Sequence, residues 1–203
     1  MLIRLSGAAA IFAGVLLVVA DLLSLTHLFF PLGFESFSEP TMATSVSHYY
    51  ALQAKTNLLA AVLLLGGLVG LYARQAQAAG LLGLVGFLVA FLGTALLIGF
   101  LWSTAFIVPN LAVEAPTLLG GGPPAAFYPS LVTFALGWGI FGIVTLRAGI
   151  YPRMAAVLLV ISAIGNLLPV PFLGFVFAVA VMCIGFSLFT ELASPAEQTQ
   201  RVK

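Results

Sequence analysis

The chain has 203 residues, of which 62% are hydrophobic and 6% charged, with a net charge of +1. A soluble domain carries roughly 25% charged residues, so these few charges cannot cover a water-facing surface and lipid is the expected surrounding. Seven basic against six acidic residues exclude a nucleic-acid binder, which needs a dense basic patch, and the single Cys183 excludes an intrachain disulfide framework or a zinc-type cluster.

In chain order, six apolar segments stand at or near the length of about 20 residues that a bilayer crossing requires: 5–30, 48–73, 79–107, 127–147, 152–169 and 171–191. The predicted fold class is all-α, a polytopic membrane helical bundle of six transmembrane helices. Residues 1–191 form its single transmembrane domain and 192–203 a polar cytoplasmic tail. The first segment also has the outline of a secretory signal, with Arg4, an apolar stretch and Val18-Val19-Ala20. Its apolar run continues to Phe30, which suits a span better. Pro169 and Pro171, followed by Gly174, separate the last two segments. Merged, they would make a helix of about 40 residues, twice a crossing.

Basic residues set the orientation. Arg4, Arg74, the pair Arg147 and Arg153, and finally Arg201 and Lys203 occupy alternate turns, whereas the intervening loops carry Glu35, Glu39 and Glu114. Both termini are therefore expected in the cytoplasm, with loops 31–47 and 108–126 outside. Tyr72 and Tyr151 then fall at the inner interface, and Tyr49, Tyr50, Trp102 and Tyr128 at the outer one, the two depths that amphipathic rings favour. Ser38-Glu39-Pro40 reads as a helix start. Gly120-Gly121-Gly122-Pro123-Pro124 reads as a flexible turn and lacks the residues of a phosphate-binding loop. The outer loops serve as a lid, a partner surface or plain connectors.

Asp21 and Lys55 stand inside apolar segments, where an ionisable side chain is expensive and marks function. Asp21 is 17 residues from Arg4 and Lys55 is 19 residues from Arg74, which gives heights of about 25 and 28 Å at 1.5 Å per residue. The matched heights predict an ion pair, because each charge alone would cost several kcal/mol. Gly7, Gly14 and Asp21 share one face of the first span. Gly66 and Gly70 lie near the direction of Lys55 on the second, so both charges are expected to point inward on packing faces. Gln53, Thr56, Asn57, Ser103, Thr104 and Asn166 fall at a similar level. Asp21, Lys55, Asn57, Gln53, Asn166 and Ser103 thus form the candidate site, either an outward-opening pocket for a ligand or ion or a buried network that fixes helix register. His27 and His48, with Glu35 and Glu39, are weak candidates for a divalent metal, since their spacing matches no metal motif. Trp138, between Gly137 and Gly139, is expected to pack the bundle.

Gly70-Leu71-Tyr72-Ala73-Arg74-Gln75, Ala79-Gly80-Leu81-Leu82-Gly83 and Ala135-Leu136-Gly137-Trp138 resemble segments of small bacterial multi-pass membrane proteins that have no assigned activity. The resemblance implies a bacterial plasma membrane and carries no functional residue with it. No His-Glu-x-x-His or Gly-x-Ser-x-Gly motif is present, so nothing points to an enzyme, and no cofactor is expected. The leading expectation is an accessory or structural subunit of a membrane complex, motivated by apolarity, small-residue faces and few polar groups. Its partners would be the lipid bilayer and other membrane subunits or further copies of the chain. The alternative is a small transporter or lipid- or small-molecule-binding protein that uses a buried Asp–Lys pair.

Overall fold

In lipid, every backbone N–H and C=O must find its partner within the chain, so uncharged runs of Leu, Ala, Val and Gly form helices. The computed structural model describes residues 2–29, 40–115, 127–167 and 173–190, and these contain helices and turns but no strand. The helices are α1 (Leu2–Phe29), α2 (Pro40–Phe106), α3 (Val108–Glu114), α4 (Phe127–Ala148), α5 (Arg153–Gly165) and α6 (Leu173–Thr190).

At 67 residues, α2 would be about 100 Å long if straight, more than three bilayer cores. It is not straight. Gly80 interrupts it with φ 58° and ψ −154°, a conformation that only glycine adopts without strain. Tyr72 and Phe87 stack across this break with ring centroids 4.5 Å apart, and Lys55 Nζ lies 5.6 Å from the centre of the Phe106 ring. Each pair is nearly equidistant from Gly80 along the chain, so α2 is a helical hairpin with arms 40–79 and 81–106. The second positive-φ glycine, Gly149 (φ 65°), follows α4, and its N–H bonds to Thr145 O at 3.3 Å. This is the usual left-handed glycine after a helix C-terminus.

The described helices match the expected segments, with three corrections. Residues 40–47, expected in an outer loop, belong to α2, which starts at Pro40. Within the expected loop 108–126, α3 forms a short helix. Among the described residues of the fifth segment the helix is the 13-residue Arg153–Gly165, which spans about 20 Å. The last two segments are separate helices. The Gly120–Pro124 run and the tail 192–203 lie outside the described residues.

Small residues set the packing. Gly67 and Gly70 of the first arm meet Ala10 and Ser6 of α1. Gly86, Gly93 and Gly137 lock the second arm against α4: a Cβ on Gly86 would lie 3.1 Å from Phe141 N, and one on Gly93 or Gly137 would collide with the backbone of Phe134 or Ala90. Gly142 seats Val160 of α5, and Gly165 of α5 seats Leu173 of α6. The ring closes where Gly7 and Gly14 of α1 meet Gly185 and Ala178 of α6. At the seams of α1 with the first arm, of the second arm with α4, and of α1 with α6, rising numbers on one helix meet falling numbers on the other. These pairs are therefore antiparallel. The start of α1 and the end of α6 share one end of the bundle. Tyr151 brings the α4–α5 turn to that same end by donating from Oη to Leu71 O at 3.2 Å.

The core draws on both arms of α2 and on α1, α4, α5 and α6, with Leu64, Leu68, Trp138, Leu159 and Val181 among its buried members. Trp138 is fully buried, with Phe177 edge-on at 5.2 Å and Phe141 at 5.8 Å. Its indole Nε1–H donates to Thr94 Oγ1 at 3.0 Å, and that hydroxyl donates in turn to Ala90 O at 2.7 Å. Outside, Leu81, Val85, Leu88, Leu92 and Leu96 of the second arm are exposed, a surface that matches hydrocarbon rather than water. Among the described residues four helices are long and apolar enough to cross a membrane, the hairpin α2 being counted once.

Candidate ion or ligand site at Asp21

The seven-residue recurrence of Gly7, Gly14 and Asp21 puts all three on one face of α1, as the spacing predicts. The structure shows what that face meets. Gly7 abuts the backbone at Gly185 and Leu188, Gly14 abuts Met182 and Ala178, and Asp21 covers Gly174. The expected neighbour was α2, and the observed neighbour is α6.

Asp21 therefore does not pair with Lys55, and the proposed ion pair is corrected. Lys55 is exposed, on a stripe with the exposed Leu52, Leu59, Val62 and Val69. Gly66 does share the direction of Lys55, but it is exposed too. The glycines that pack the first arm onto α1 are Gly67 and Gly70, and the face carrying Lys55 points away from the bundle. Lys55 sits over the Phe106 ring instead, a cation–π contact across the open end of the hairpin.

The Asp21 carboxyl rests on the first turn of α6, and its Oδ1 would lie 2.8 Å from a Cβ at Gly174. Only a residue without a side chain leaves room there. Oδ2 is buried and makes no hydrogen bond with any described residue. One turn along α1, Ser24 Oγ donates to Ala20 O at 3.1 Å and accepts a bond from Gln53 Nε2. The Ser24 hydroxyl proton is thus committed to the backbone and does not reach the carboxyl. Gln53 is the one member of the expected α2 set that the structure joins to α1. Asn166 follows α5, and Gly165 beside it touches Leu173 while Asp21 touches Gly174. Gly165 and Asp21 thus touch the first two residues of α6, and no contact among the described residues brings the Asn166 side chain to Asp21.

Asn57 and Ser103 are half-buried, and no contact brings them to Asp21. Thr56 and Thr104 bond back to Leu52 O and Phe100 O on their own helix at 2.9 and 3.0 Å. Glu35 and Glu39 lie outside the described residues, as do the side chains of His27 and His48. Among the described residues no group of three or more His, Cys, Asp or Glu converges on a metal position.

Sequence reasoning missed Gln75. It is fully buried, and neither amide atom has a partner among the described residues. The spacing Leu64, Leu68, Leu71, Gln75 alternates four and three, which places the amide on the core stripe of the first arm. Nearby, the Arg74 guanidinium lies 5.5 Å from the centre of the Tyr151 ring. Burial pushes the Tyr151 phenol above its ordinary range, and Arg74 offsets part of that rise.

Comparison with known protein families, with curated proteins and with solved structures gives no match to this chain.

Proposed function

We propose that the chain is a six-span protein of a bacterial plasma membrane, with both termini cytoplasmic, that holds a small cation or a protonated small molecule at Asp21. The alternating direction of the helices and the gathering of Arg4, Arg74, Arg147 and Arg153 toward one end of the bundle support the span count and the orientation. The resemblance of its Gly70–Gln75 and Ala135–Trp138 segments to bacterial membrane proteins supports the location. One observation carries the functional reading: a carboxyl oxygen is buried between α1 and α6 with no hydrogen-bond donor supplied by any described residue. A buried acceptor left without a partner costs about 1–3 kcal/mol, more when charged, and ionisable groups inside spans mark ion or substrate positions. An occupant that brings a positive charge or a proton would satisfy Oδ2.

The accessory-subunit reading has less support. Of the glycines read as small-residue faces, Gly7, Gly14 and Gly70 pack the chain's own helices, as do Gly67, Gly93, Gly137, Gly142 and Gly185. They are not a face held ready for a partner.

Binding of radiolabelled sodium and of a labelled primary amine to the purified protein in detergent, by scintillation proximity, separates the two. Saturable binding of either probe that Asp21→Asn abolishes, with circular dichroism and elution unchanged, is expected. Binding of neither probe to the native protein, together with co-purification of other membrane proteins that Asp21→Asn disrupts, would return the chain to the subunit class.

A further inference from the structure

Lys55 is a cation on a face that otherwise belongs to hydrocarbon. Its stripe on the first arm runs through Leu52, Leu59 and Val62, all exposed. No acidic side chain among the described residues reaches it, and the hairpin fold places it over Phe106. Beside Phe106, Trp102 is 57% exposed, with ring centroids 4.6 Å apart. The height of Lys55, about 28 Å from the level of Arg74, equals the thickness of a hydrocarbon core of about 30 Å. The ammonium therefore stands at the edge of the lipid tails, where phosphates begin, and the two rings form an apolar wall under it. Aromatic residues favour that depth, and a basic residue there attracts anionic headgroups.

We infer that Lys55, Phe106 and Trp102 form a binding corner for the headgroup of an anionic phospholipid of the phosphatidylglycerol type, with the lipid tails lying along the exposed Leu59–Val62 side of the first arm. Lys55 supplies the charge contact, Phe106 holds the ammonium in place and Trp102 flanks the glycerol level. The inference rests on the membrane placement of the hairpin and is independent of Asp21.

Trp102 is also the reporter, because the second tryptophan, Trp138, is fully buried and adds a constant background. The protein is reconstituted in phosphatidylcholine vesicles containing a small mole fraction of dibrominated phosphatidylglycerol or dibrominated phosphatidylcholine, and fluorescence quenching is compared. Phosphatidylglycerol should quench at about five-fold lower mole fraction, the preference that one basic residue near anionic headgroups provides. Lys55→Gln should equalise the two lipids, Lys55→Arg should keep the preference, and added salt should shrink it. Equal quenching by both lipids in the native protein overturns the assignment, and so does a preference that survives Lys55→Gln.

Discussion

Of the helix pairs that glycines bring into backbone contact, α1 against α6 and the second arm of α2 against α4 differ in how the polar groups on their seams fare. On the α2–α4 seam, Thr94 and Trp138 satisfy each other and Ala90 O. On the α1–α6 seam, the carboxyl of Asp21 is pressed onto Gly174 and keeps an oxygen unpartnered. Close packing alone therefore does not require the aspartate. The first seam shows how this fold satisfies a buried polar group when the purpose is packing, and the second departs from that pattern at one residue.

The largest effect should come from adding volume where two backbones touch. Gly137→Val drives a side chain into the backbone of Val89 and Ala90, which can yield only if the helices separate. A loss of about 3 kcal/mol, the upper end for overpacking, is expected in unfolding of the detergent-solubilised protein followed by Trp138 fluorescence. Gly14→Ala on the other seam should cost less, since part of what it meets is the flexible Met182 side chain. Equal losses at the two positions would mean that the seams are not distinguished by rigidity. Next in size is Thr94→Val, which strands the indole N–H of Trp138. A loss of about 1–2 kcal/mol, in the range for a buried donor left unsatisfied, is expected, and Thr94→Ser should restore most of it.

Asp21→Asn should behave in the opposite sense. If the carboxyl made a stabilising bond, its removal would lower the unfolding temperature as Thr94→Val does. Because Oδ2 has no partner among the described residues, the substitution should leave stability unchanged or raise it by about 1 kcal/mol, the scale of an uncompensated buried polar group. A clear loss of stability would place Asp21 in the same class as Thr94 and remove the contrast between the seams.

The sequence carries the helices and their faces better than their neighbours. Apolar length and the proline pair were enough to place the described helices, apart from the early start of α2, the short α3 and the extent of α5. Helical spacing correctly put Gly7, Gly14 and Asp21 on one face, and Gly66 near Lys55. What spacing cannot say is which element each face meets. Consecutive helices are the default neighbours, so Asp21 was matched to α2, but α1 is flanked by both α2 and α6 and its glycine face belongs to α6. Equal height is likewise necessary for an ion pair and not sufficient, because Lys55 reaches the right level on the wrong side of its helix. Gln75 was legible in principle. Its place on the Leu64, Leu68, Leu71 stripe marked it as inward-facing, but beside Arg74 it reads as part of a polar turn.

The smallest effect at neutral pH should be that of Tyr151→Phe, and it is the one that changes sign. The variant loses the bond to Leu71 O, worth about 0.6 kcal/mol for an average hydrogen bond between membrane helices. Burial holds the native phenol above its ordinary value, which is near 10. Below that pH the phenol is neutral in both the folded and unfolded chains and its contribution is constant. Above it the unfolded phenol ionises while the folded one does not, so the unfolded state gains and native stability falls by about 1.4 kcal/mol per pH unit from this group alone. Tyr151→Phe has no such proton to lose, and the other tyrosines act alike in both proteins. The two stability curves should therefore cross about a quarter of a unit above pH 10, with the variant the more stable beyond it. Parallel curves through that range would show that Tyr151 is open to water, and that the end of the bundle carrying Arg74 is looser than its packing implies.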